Sequence, residues 1–256
     1  MRMSSGTNLA AIFVVLMGMA CVVLGMTEGE DPRYSRRNVT TDVCASTMPS
    51  IVRIDVEMTY GENEWAYTAK WQGSGIVINR GGLVLTNWHV ADDTTEPTAR
   101  DYKVTLWDLS VVKAVFLASD IDVDLALLQI VNPPKNLKSI IFSTWPMLGE
   151  TCLVLGSPLG LTHSVSRGIV SGLDRTVSVK MSRWAFRGQE RVLVTFGKMI
   201  YKGMVQTDSL VCPGNSGGAL VDVNGRLLGV VNCGSSGGPA FAIPVSTIWG
   251  FLERVL

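Results

Sequence analysis

The segment Pro213-Gly214-Asn215-Ser216-Gly217-Gly218-Ala219-Leu220 sets one serine among three glycines and feeds into an apolar strand. Glycines let a backbone turn tightly and approach a ligand closely. Such a turn can aim the amides of Gly214 and Ser216 at one point, which is what an oxyanion hole needs. A serine hydroxyl is a weak nucleophile and needs a base to take its proton. A histidine oriented by a buried carboxylate supplies that base. Upstream, Val84-Leu85-Thr86-Asn87-Trp88-His89-Val90-Ala91 is a strand that runs into a histidine. Between the two lies Asp120-Ile121-Asp122-Val123-Asp124-Leu125-Ala126-Leu127-Leu128, acidic residues opening a buried strand. Asp120 and Asp122 compete with Asp124. Asp124 directly precedes the apolar run and is preferred, while the other two read as solvated turn residues.

Around these segments the chain reads as short strands separated by turn residues. They fall at Ser50–Met58, Gly73–Ile78, Leu83–Thr86, Lys103–Trp107, Val111–Ala118 and Leu125–Ile130. After a break at Asn132-Pro133-Pro134 they resume at Thr151–Leu155, Val165–Leu173, Val192–Phe196, Gly203–Gln206, Ala219–Val221, Leu227–Val231 and Ala240–Ile243. The pattern is all-β, a sandwich or barrels, in two halves of about 45–132 and 147–245. The last segment, 246–256, reads as a helix with Ser246 as its N-cap.

Composition narrows the function. Of 256 residues 47% are hydrophobic and 17% charged, enough to bury a core. Lys+Arg and Asp+Glu both number 22, and a neutral chain argues against general nucleic-acid binding. Five cysteines without Cys-x-x-Cys spacing and two histidines argue against a disulfide scaffold and against a metal centre. No cofactor is expected.

The three segments resemble the trypsin/chymotrypsin-fold serine proteases, and specifically the HtrA/Deg branch. The matching stretches also include Gly73-Ser74-Gly75-Ile76-Val77-Ile78, Gly156-Ser157-Pro158-Leu159-Gly160, Gly168-Ile169-Val170-Ser171-Gly172, Thr207-Asp208 and Phe241-Ala242-Ile243-Pro244. They occur in the family's order over roughly 50–256. The resemblance implies two six-stranded antiparallel barrels with the site in the cleft between them. It implies His89 as general base, Asp124 as its orienter and Ser216 as nucleophile, with Gly214 and Ser216 giving the oxyanion amides. It places the base of the specificity pocket six residues before the nucleophile, at Leu210, with Asn232, Cys233 and Gly234 beside it. An apolar pocket there would favour small aliphatic side chains. The implied partner is an extended polypeptide, and a homotrimer is the family's common assembly. The chain departs in having Cys212 where the family has asparagine. It also has a longer, basic stretch over 174–204, and it stops at Leu256 without the PDZ domain that usually follows.

Leu9–Met26 is an uncharged apolar run of 18 residues. As a helix it reaches about 27 Å, close to the ~30 Å hydrocarbon core of a bilayer. Two readings stay open for it. One is a transmembrane signal anchor that holds the catalytic domain on the non-cytoplasmic side. The other is a cleaved signal peptide that leaves a secreted or periplasmic protein. Residues 1–8 form a tail and 27–44 a polar linker, so the folded domain is expected over 45–256.

Other features have ordinary readings. His163 reads as a loop histidine and Cys152 as a small buried residue. Cys212 and Cys233 flank the same pocket and either bridge or stay reduced, and Cys44 has no evident partner. The basic stretch reads as a solvated hairpin, or as a regulatory loop or a contact for anionic lipid. Two function classes remain: a membrane-tethered endopeptidase, and a silent relative that binds or scaffolds. The intact His, Asp and Ser favour the enzyme.

Overall fold

In β1 (Ile51–Tyr60) alternate residues are buried: Ile54, Val56, Met58 and Tyr60 face inward, and Arg53, Asp55, Glu57 and Thr59 face outward. That period of two is a strand with one wet face. In the computed structural model, which describes residues 38–61, 66–91, 97–187, 190–234 and 238–256, β1 pairs antiparallel with two neighbours. These are β2 (Tyr67–Val77) and β4 (Ala99–Thr105). With β3 (Leu83–Thr86), β5 (Val111–Asp120) and β6 (Leu125–Ile130) they close a barrel in the order β1-β2-β3-β6-β5-β4.

The second half contains β7 (Ile141–Phe142), β8 (Thr151–Gly156), β9 (Ser164–Arg187), β10 (Glu190–Thr207), β11 (Ala219–Asp222), β12 (Arg226–Gly234) and β13 (Ala240–Pro244). The sheet order is β11-β8-β9-β10-β13-β12-β7, and a further β11–β12 pairing closes six of these strands into a ring. β7 lies outside the ring, parallel to β12. The expected two-barrel, mostly β architecture is therefore present.

β3 and β6 show how the barrels join. Their sequences are apolar almost without alternation because both faces are covered. Val84, Ala126, Leu128 and Ile130 fill the first barrel. Leu83, Leu85, Leu125 and Leu127 point the other way, into a cluster shared with Leu153, Leu155, Val221, Leu227 and Phe251 of the second half. Burying such a side chain is worth about 1.5–3 kcal/mol, so this layer fixes one barrel against the other. The second barrel's own interior is smaller, built from Cys152, Val154, Val170, Val205, Leu220, Leu228, Val231 and Ala242.

Three boundaries differ from the sequence reading. Helix α1 (Val39–Thr47) occupies the end of the expected linker, with Val43 buried in the shared cluster, so the compact unit starts at Val39 rather than 45. After the short helix α2 (Trp88–Ala91), the terminal helix α3 (Val245–Val255) begins one residue early. Its N-cap is Pro244 without a side-chain cap bond, not Ser246. β9 does not end at Leu173, and the strands expected at 192–196 and 203–206 are one strand, β10. Together β9 and β10 make a long hairpin across the basic stretch. The tail 1–8 and the run Leu9–Met26 lie outside the described residues. Among the described residues no helix is long and apolar enough to cross a membrane.

Candidate active site

β3 ends at Thr86 and the chain turns into α2, which places His89 at the barrel junction. A turn before β6 delivers Asp124, whose φ is +54°, with its N–H on the carbonyl of Ile121 at 3.3 Å. Asp124 is fully buried. A buried carboxylate is costly unless hydrogen-bonded, and three donors meet this one. His89 Nδ1 lies 2.7 Å from Oδ2, the His89 backbone N–H donates to Oδ1 at 2.9 Å, and Asn232 Nδ2 donates to Oδ2 at 2.5 Å. Asn87 Nδ2 holds the Asp124 carbonyl at 3.0 Å. A carboxylate on Nδ1 selects the tautomer with its proton there and leaves Nε2 as the basic nitrogen. The neighbouring acids are elsewhere: Asp120 pairs with Arg254 of α3 at 2.6 Å, and Asp122 is exposed.

The serine arrives from the other barrel, on the turn before β11. Gly214 has a φ of +100°, and a Cβ there would sit 2.6 Å from the Ser157 carbonyl oxygen. Gly217, at φ +83°, would put a Cβ 2.1 Å from the Ser74 carbonyl oxygen. Only glycine fits either place. The Pro213 carbonyl accepts from Leu159 N–H at 2.8 Å, which turns the other side of that peptide, the Gly214 N–H, the opposite way. Among the described residues no acceptor takes the N–H of Gly214 or of Ser216. Both are available to an oxyanion. Ser216 Oγ donates to the carbonyl of Asn232 at 3.0 Å.

The structure thus brings His89 and Asp124 into direct contact, and it sets Ser216 on the carbonyl of Asn232, whose amide holds Asp124. Among the described residues no cluster of three or more His, Cys, Asp or Glu could hold a metal.

Residues 73–230 match the trypsin-like peptidase domain family. The chain is 33% identical over 191 residues to Protease Do-like 1, chloroplastic, of Arabidopsis thaliana, covering 72% of this chain and 39% of that protein. It is 34% identical over 199 residues to Serine protease Do-like HtrA of Bacillus subtilis, covering 74% and 40%. It is 31% identical over 237 residues to human Serine protease HTRA3, covering 90% and 48%. This chain belongs to the HtrA/Do group of trypsin-like peptidases. It spans less than half the length of these curated relatives.

The four residues expected at the pocket, Leu210, Asn232, Cys233 and Gly234, differ in burial. Leu210 is 65% exposed, and its carbonyl accepts from Ser166 Oγ at 2.7 Å, so its side chain is not the floor of a closed pocket. Asn232 is buried with its side-chain amide on Asp124, which makes that side chain part of the orienting network. Cys233 is half-buried. Gly234 lies against Val211, whose Cβ is 3.2 Å from where a Gly234 Cβ would be. Burial, and secondarily the Asp124 charge, push the Cys233 thiol up to about 11. Cys44, Cys152, Cys212 and Cys233 are all free thiols, so the bridge between Cys212 and Cys233 is absent. His163 does more than occupy a loop. It stacks edge-on against Trp107 of the first barrel at 4.6 Å, and burial lowers its pKa.

Residue-by-residue reading missed Ser74, which is fully buried on β2. Its Oγ donates to the Gly214 carbonyl at 2.6 Å and accepts from Ser157 N–H at 2.9 Å. Its N–H donates to the Ser216 carbonyl at 2.8 Å. Its own carbonyl accepts from Thr86 Oγ1 at 2.7 Å. The available signal was its position between Gly73 and Gly75, where a polar residue interrupts an otherwise apolar strand end.

Proposed function

We propose that the chain is a serine endopeptidase that cleaves extended polypeptide segments through an acyl-enzyme. The observation that carries this reading is the fully buried Asp124 carboxylate on His89 Nδ1 at 2.7 Å, beside a serine loop with two open amides. In the resting state the Ser216 proton points to the Asn232 carbonyl. For attack the hydroxyl turns to His89, whose Nε2 takes the proton as Oγ bonds to the substrate carbonyl carbon. The carbonyl oxygen becomes negative and is received by the N–H groups of Gly214 and Ser216. Asp124 stabilises the imidazolium. That ion then gives its proton to the leaving amine as the peptide bond breaks. Water repeats the sequence on the ester and frees the enzyme. The substrate backbone adds as a strand along the end of β12 at Asn232–Gly234, beyond Val231, whose N–H and carbonyl are already paired with Gly218 and Gly217.

The same reading places the catalytic unit beside a membrane, held by Leu9–Met26. The uninterrupted apolar run and its length support a retained span. Resistance of the full chain to alkaline carbonate extraction tests the tether. A mature soluble form beginning just after Ala20 would overturn it.

Fluorophosphonate labelling tests the chemistry. The full chain should label covalently at Ser216 and digest casein, and Ser216→Ala should lose both while keeping its melting temperature. Near-native casein turnover by Ser216→Ala would refute the assignment. A wild-type chain that neither labels nor digests, yet still binds unfolded polypeptide, would favour the silent relative.

A further inference from the structure

The β9–β10 arm has two unlike faces. On one, Val177, Val179, Met199 and Tyr201 pack on the cluster that holds Trp88 and Leu125. On the other, Thr176, Ser178, Lys180, Lys198, Ile200 and Lys202 are exposed. Lys180 and Lys198 stand directly opposite in the ladder. Like charges in that position destabilise a β ribbon. Among the described residues no carboxylate forms an ion pair with Lys180, Lys198 or Lys202. The ladder continues to Arg187 and Glu190. Along it the sequence interleaves Arg183, Arg187 and Arg191 with Trp184, Phe186 and Phe196. Over 174–204 seven Lys and Arg stand against Asp174 and Glu190, on a chain whose formal net charge is zero. The stretch 174–204 thus carries an excess of positive charge.

We propose that this arm is a docking surface for an anionic bilayer. The exposed Lys180, Lys198 and Lys202 on one face suit an extended anionic plane. In one respect the proposal rests on the tether reading. Residues 27–38, fully extended, span about 40 Å, so a retained Leu9–Met26 span keeps the folded unit within reach of a membrane. The attraction falls off within a Debye length, about 10 Å at 0.1 M salt, so docking must be close and salt-sensitive.

The test uses the full chain, carrying Ser216→Ala to prevent self-digestion, in nanodiscs of phosphatidylcholine alone or with a quarter phosphatidylglycerol. Trypsin nicking at Arg183, Arg187 and Arg191 is timed, with a reporter peptide correcting for trypsin activity. In the anionic discs nicking should slow at least tenfold. High salt should abolish the protection. So should Lys180→Gln/Lys198→Gln/Lys202→Gln, at a melting temperature no lower than that of the parent chain, because each basic residue contributes about fivefold to partitioning. Equal nicking in both lipids would overturn the proposal, as would full protection of the triple variant. Protection by polyglutamate in neutral discs, with none from phosphatidylglycerol, would assign the arm to an acidic polypeptide instead. If the chain does not enter the discs, the tether fails. The same comparison with added vesicles of the two compositions then decides the arm separately.

Discussion

Ser74 of the first barrel donates its backbone N–H to the carbonyl of Ser216 on the second, at 2.8 Å. His89 and Asp124 belong to one barrel and Ser216 to the other, so their alignment depends on how the barrels are registered. The shared apolar layer holds the barrels together, but apolar contact is not directional. Ser74 adds direction, because its N–H and hydroxyl fix two consecutive parts of the nucleophile loop, at Ser216 and Gly214.

Ser74→Ala should therefore act chiefly on kcat. The substitution leaves the Gly214 carbonyl and the Ser157 N–H without their partner in a buried place, at about 1–3 kcal/mol each. We expect kcat to fall roughly 10- to 100-fold with KM nearly constant, and fluorophosphonate labelling to slow in parallel. The melting temperature should drop by about 4–24 °C. A loss of stability with kcat intact would show that Ser74 is structural only.

Asn232 should matter through Asp124. Asn232→Ala removes one of three donors to the carboxylate and should lower kcat/KM by about tenfold, the scale of one charge-assisted bond. Asn232→Asp places a second carboxylate against the first and should be worse than Ala, because like charges cannot both stay ionised at that distance. Steady-state kinetics on one peptide substrate decides the order. An Asp variant as active as wild type would remove Asn232 from the network.

Short segments with strong local chemistry made most of the site legible in the sequence. Gly214 and Gly217 announce a turn that no other residue can make, and Asp124 announces itself by directly preceding the buried β6. The all-β pattern was legible in short apolar strands separated by turn residues, while the two barrels followed from the resemblance of the motifs and not from any strand's own period. What was hidden depends on residues far apart in the chain. Ser74 is separated by 140 positions from Gly214, and Asn232 by 108 from Asp124, and no local pattern encodes such pairs. α1 was hidden because Val39–Thr47 is polar and weakly amphipathic, and two buried residues, Val43 and Thr47, fix its place. The exposure of Leu210 was not legible, because spacing from the nucleophile gives a backbone position and not how far a side chain is covered.

The exposure of Leu210 changes what its substitution should do. A buried aspartate in a dry pocket would pair strongly with a substrate lysine or arginine. At a site 65% open to water the attraction is screened and worth little. Leu210→Asp should thus shift a peptide-library profile toward Lys and Arg by less than tenfold, with stability almost unchanged. Conversion to dominant cleavage after Lys or Arg would put Leu210 back at the pocket floor.

Cys233 gives a pH signature. Its thiol is raised from the ordinary 9.0 to about 11, first by burial and then by the Asp124 charge. A raised pKa on an acid means that the folded chain holds the proton more tightly than the unfolded chain does. The resulting stabilisation is fully present below pH 9 and is lost as pH climbs through about 11. Melting temperatures of wild type and Cys233→Ser compared between pH 8 and 11 isolate this contribution, because the other titrating groups are common to both. The wild type should lose more across that interval. Iodoacetamide should modify Cys233 slowly at pH 8, with a rate that rises about tenfold per pH unit until the thiol ionises. Rapid alkylation at pH 8, or parallel melting curves for the two chains, would show that the thiol is neither buried nor sensing Asp124.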